Sequence, residues 1–65
     1  MSDKPIQILI VEDEAIIAMD LAQRLERDGY GVVGIAAGSE QAIDLFDATR
    51  PDVVMMDVVI RGALD

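Results

Sequence analysis

Val53-Val54-Met55-Met56-Asp57 is an unbroken apolar run closed by an acid, and Ile8-Leu9-Ile10-Val11 likewise runs into Glu12-Asp13-Glu14. Each run is too short for a helix and apolar on both faces, as a strand buried inside a parallel sheet is. If the two are parallel neighbours, Glu12, Asp13 and Asp57 converge at the C-terminal edge, where open α/β sheets place their ligands. Like charges held that close call for a protonated carboxyl or a hard divalent cation, and Mg²⁺ takes a few carboxylates while keeping several waters.

The segments between these runs supply the alternation a parallel sheet needs. Strands are expected at about 6–11, 31–36 and 53–57, and helices at about 14–28 and 39–49. In the first helix Ile17, Leu21 and Leu25 recur at four-residue spacing, with Ala18 and Ala22 widening the stripe. Gly29 ends it. Val32-Val33-Gly34-Ile35-Ala36 makes a second strand weakened by Gly34, which marks tight packing. Ser39 is placed to cap the second helix, Ala42, Ile43 and Phe46 to point inward, and Pro51 to stop it. The order β-α-β-α-β implies a parallel sheet with right-handed crossovers.

Composition narrows the function. With 65 residues the chain is at most one domain, and a chain of this size buries only about 60% of its unfolded surface. Its 52% hydrophobic content excludes the low-hydrophobicity signature of disorder. A net charge of −8 gives no basic patch for nucleic acid and repels an anionic membrane. No apolar run approaches the ~20 residues of a membrane span, and no signal-peptide core follows the N-terminus, so a cytoplasmic protein is expected. Without Cys or His there is no thiolate, imidazole base or zinc site.

Gly29-Tyr30-Gly31-Val32-Val33-Gly34 has the spacing of a dinucleotide fingerprint. Its placement is wrong. Such a loop must leave a strand and open a helix, whereas these glycines follow a helix and enter a strand. Met55 and Met56 read as ordinary core. Glu12 and Asp13 have a plainer reading too, since acids after a strand favour the positive end of the next helix by about 0.3–1 kcal/mol. Asp57 weighs against it, because two separate strands then each end in acid.

Together, Ile8-Leu9-Ile10-Val11-Glu12-Asp13-Glu14, the Gly29-Tyr30 turn into a strand, and Pro51-Asp52-Val53-Val54-Met55-Met56-Asp57 resemble the first half of a response-regulator receiver domain. The resemblance implies a flavodoxin-like fold, α/β with a parallel sheet in order 2-1-3. It also implies phosphorylation of Asp57 by a sensor histidine kinase or phosphotransfer protein. Glu12 and Asp13 match the family's acidic pair, Asp57 its phosphoacceptor, and Val59 the position whose backbone carbonyl is a ligand to Mg²⁺.

The resemblance also has gaps. Receiver domains have five strands, and the family's Ser/Thr, Lys and switch aromatic would follow Asp65; neither Tyr30 nor Arg61 sits at such a position. The loop Val58-Val59-Ile60-Arg61-Gly62 lacks the family's common Leu-Pro pair. The expectation is therefore a truncated receiver, inactive in this form, whose exposed third strand drives homo-oligomerisation. The alternative is a half-domain that accepts no phosphate and serves as an oligomerisation or kinase-interaction module. An enzyme such as a magnesium phosphatase ranks below both, because no second acid follows two residues after Asp57 as a proton donor.

Overall fold

A computed structural model of the chain describes residues 4–56. Its elements are β1 (Gln7–Val11), α1 (Ala15–Arg27), β2 (Gly31–Ala36), α2 (Ser39–Thr49) and β3 (Val53–Met56). The strands form one parallel sheet in the order β2-β1-β3, as expected for the receiver fold. The central strand is the most apolar. Ile8, Leu9, Ile10 and Val11 are all buried, with Ile8 and Ile10 facing one side and Leu9 and Val11 the other.

α1 covers the first face by packing Ala18 and Leu25 against Ile8 and Ile10, with Leu21, Ala22, Val32, Ile35 and Met55 around them. The stripe is thus 18, 21, 22 and 25 rather than one begun at Ile17, whose side chain is 50% exposed. A helix turns about 100° per residue, so the i, i+3, i+4, i+7 set shares a face and position 17 falls off its flank.

α2 covers the second face through Ala42 and Leu45, set against Leu9, Val11, Val33 and Ala36. Two side chains expected inward are not: Ile43 is 60% exposed and Phe46 39%. They overhang β3 and, with Leu9, Ala42 and Val54, line an apolar groove of about 200 Å³. β2 accommodates α2 by a bulge, since its pairing with β1 jumps from Ile8↔Val32 to Leu9↔Gly34. Gly34 then lies where a Cβ would meet the Leu45 side chain at 3.3 Å, the close approach its position suggested.

The helix ends are local chemistry. At the end of α1 the Tyr30 N–H donates to the Leu25 carbonyl and the Gly29 N–H to that of Glu26, a Schellman arrangement with Gly29 at φ +97°. α2 corrects the expected cap: Gly38 holds that place, and Ser39 is the first helical residue with no capping hydrogen bond. Gln41 compensates, its Oε1 accepting the Ala37 N–H at 2.8 Å. Before Pro51, Arg50 leaves the helix in the left-handed region, φ 49°, with its guanidinium 5.9 Å from the centre of the Phe46 ring.

Gly29→Ala is expected to lower unfolding free energy by about 1 kcal/mol, because alanine at that φ is strained. A urea midpoint at or above that of the wild type would contradict the left-handed assignment, since alanine stabilises only where its conformation is allowed.

Candidate functional site

Register decides what the sheet can bring together. β3 pairs with β1 as Ile8↔Val53, Leu9↔Val54, Ile10↔Met55 and Val11↔Met56. Asp52 pins the start of this ladder twice: its N–H donates to the Gln7 carbonyl and its Oδ2 accepts the Gln7 N–H, both at 2.8 Å. Glu12-Asp13 and Asp57 therefore follow directly in the chain on two residues that are paired partners. Asp57 and Val59 themselves lie outside the described residues.

Glu12 is the single buried charged residue described, at 7% exposure. Its N–H extends the β1–β2 ladder to the Ala36 carbonyl at 2.9 Å. Its Oε1 accepts the Glu14 N–H at 3.0 Å, and the Glu14 carbonyl accepts the first helical bond from Ala18. The plainer reading of the acids is thus part of the truth. One carboxylate oxygen of Glu12 satisfies a backbone donor at the entry to α1, as acids at helix starts do. Asp13 beside it is exposed.

The donor set suits a hard dication in kind, being carboxylate oxygen without imidazole or thiolate. In number it does not suffice by itself. Among the described residues no group of three or more His, Cys, Asp or Glu is placed to hold a metal ion. A metal centre at this edge thus needs donors beyond Glu12 and Asp13.

A parallel sheet covered by one helix on each face, with acids at the C-terminal edge of its central strand, is the architecture of a receiver. The family model for the response regulator receiver domain matches residues 8–64, and the chain belongs to that family. Among curated relatives it is 48% identical over 54 residues to the transcriptional regulatory protein PdtaR of Mycobacterium tuberculosis (strain H37Rv), covering 83% of this chain and 26% of that protein. It is 37% identical over 54 residues to the protein CcdB of Bacillus subtilis (strain 168), covering 83% of this chain and 45% of that protein. To the phyllosphere-induced regulator PhyR of Methylorubrum extorquens it is 36% identical over 58 residues, 88% of this chain and 22% of that one. The chain thus spans from about a fifth to under half of these relatives' lengths.

The two acids should separate on substitution. Glu12→Gln keeps an oxygen acceptor for the Glu14 N–H and should stay within about 0.5 kcal/mol of wild type, whereas Glu12→Met leaves that donor unmet and should lose about 1 kcal/mol more. Equal denaturation midpoints for the two variants would show that the Glu12 carboxylate has no such role.

Proposed function

We propose that this chain carries the phosphoacceptor of a cytoplasmic two-component response regulator: Asp57 takes a phosphoryl group from a sensor histidine kinase or phosphotransfer protein, with Mg²⁺. The observation that supports this most is the Val11↔Met56 pairing: in the chain, Glu12 and Asp13 follow the first of these residues and Asp57 the second. Asp13, Asp57 and the Val59 backbone carbonyl would hold the ion, with Glu12 contributing through water. Bound there, the ion offsets the negative charge that gathers on nucleophile and phosphoryl oxygens.

The chain's own part is positioning. A carboxylate oxygen of Asp57 attacks phosphorus, the phosphorus–nitrogen bond of the phosphohistidine breaks, and the imidazole leaves with its electron pair. A carboxylate needs no base to act as nucleophile, so a chain without His or Cys lacks nothing for this step. Asp13 and Asp57 would attract the ion, while one oxygen of Glu12 is committed to the Glu14 N–H at the entry to α1. The chain is an acceptor and not itself an enzyme. It reads neither nucleic acid nor membrane directly: its charge is −8, and no helix among the described residues is long and apolar enough to cross a membrane.

The second reading, an interaction module that accepts no phosphate, is favoured by the apolar surface exposed along β3.

Metal titration separates the readings. Mn²⁺ or Mg²⁺ should bind the wild type with modest affinity, and Asp13→Asn and Asp57→Asn should each weaken it severalfold. Equal affinity in the three proteins removes the site. Any label gained from a small phosphodonor with Mg²⁺ should be lost in Asp57→Asn, and labelling that survives it contradicts the assignment.

A further inference from the structure

β3 pairs with β1 through Val53, Val54, Met55 and Met56, and their side chains alone do not fix the register. A slip of one residue is excluded, because it would carry Val54 to the α1 side of the sheet and Met55 to the α2 side. A slip of two residues keeps each side chain on its own face. All four residues are apolar, so those that stay paired after such a slip still meet apolar partners in β1. What separates these registers stands at the two ends of the run, Asp52 and Asp57.

Each acid opposes one direction. Sliding β3 back by two residues sets Asp57 opposite Ile10, and sliding it forward sets Asp52 opposite Leu9; both partners are fully buried. A carboxylate brought there loses water, at a cost unless a donor meets it. Where it stands, Asp52 is exposed. It also opposes the forward slip a second time: its N–H donates to the Gln7 carbonyl and its Oδ2 accepts the Gln7 N–H, both at 2.8 Å, and the slip breaks both bonds. The second has a charged acceptor, which makes it stronger than a neutral bond. Residues 50–52 alone join α2 to β3, so this clamp acts where the chain leaves the helix and enters the sheet.

We propose that Asp52 is a positioning residue for Asp57: its two bonds to Gln7 select the register in which Asp57 can share an ion with Glu12 and Asp13. A forward slip of two residues would carry Asp57 about 6.6 Å along the strand axis relative to those acids. Ligands of one Mg²⁺ lie about 2.0–2.1 Å from it, so a displacement of that size takes Asp57 out of a shared site. Asp52 thus acts from the opposite end of β3, through the strand and without touching the ion. The link to the ion rests on the phosphoacceptor reading; the choice of register does not.

Substitution at Asp52, read by nuclear Overhauser contacts and by Mn²⁺ titration, tests this. Asp52→Val removes the clamp and the charge together, whereas Asp52→Asn keeps an oxygen acceptor for the Gln7 N–H. In the folded valine variant, contacts between Ile10 and Met55 should give way in part of the population to contacts between Ile10 and Val53, and Mn²⁺ affinity should fall severalfold. Asp52→Asn should keep the Ile10–Met55 contacts and bind Mn²⁺ more tightly than the valine variant. Gly29→Ala, destabilised at the end of α1, should bind Mn²⁺ as the wild type does, which separates positioning from a general loss of stability. A folded Asp52→Val protein that keeps the wild-type contacts or the wild-type affinity overturns the proposal. So does Asp52→Asn losing as much affinity as Asp52→Val, or Gly29→Ala doing so. A wild type that binds no Mn²⁺ removes the phosphoacceptor reading instead, and the contacts then decide the register alone. Should Asp52→Val not fold, Asp52→Ala carries the same readouts.

Discussion

The parallel pairing of β1 with β3, locked at its start by the two hydrogen bonds between Asp52 and Gln7, is the constraint on which the rest of this molecule depends. A parallel neighbour can be reached only by a crossover, so the chain between the strands must travel over a sheet face, which α2 does. The register then fixes which side chains share each face. Leu9 and Val54 lie under the α2 side, while Ile10 and Met55 lie under α1. One slipped residue would turn each apolar set to the wrong side.

The same pairing gives the acidic edge its meaning. Glu12 shows how a residue type can serve two ends at once: buried, it satisfies the Glu14 N–H and begins α1, and it also keeps negative charge beside Asp13. If Asp57 joins Glu12 and Asp13 there, as proposed, like charge is gathered at one edge, a cost that a bound cation would offset. In the phosphoacceptor reading, repulsion and function are the same arrangement seen without and with the ion.

Much of the fold was legible because it is written in local rules. Two β-type apolar runs, a four-residue stripe, Gly29 at a left-handed position and Pro51 after a helix each act through their own backbone. What sequence reading misplaced depends on neighbours. Ile17, Ile43 and Phe46 lie beside the correct stripes, and whether a flanking position is covered depends on what packs over it, which periodicity does not encode. Ser39 has the right chemistry for a cap but sits one residue inside the helix, and the Gln41 side chain satisfies the Ala37 N–H instead. The β2 bulge was announced only by Gly34. At the site, Glu12 and Asp13 were legible from the strand they follow, but the bond from Glu14 that commits one oxygen of Glu12 was not.

The central claim is that the acids following β1 and the acid following β3 form one cation site. Paramagnetic broadening by Mn²⁺ tests it directly, because the effect depends on distance from the ion and reports on each backbone amide separately. Sub-stoichiometric Mn²⁺ added to ¹⁵N-labelled protein should broaden the amides of Glu12, Asp13 and Glu14 and those of Met56 and Asp57 together, at the same metal concentration. Broadening confined to one of the two segments, or centred on acids of α2 such as Asp44 and Asp47, would contradict the account.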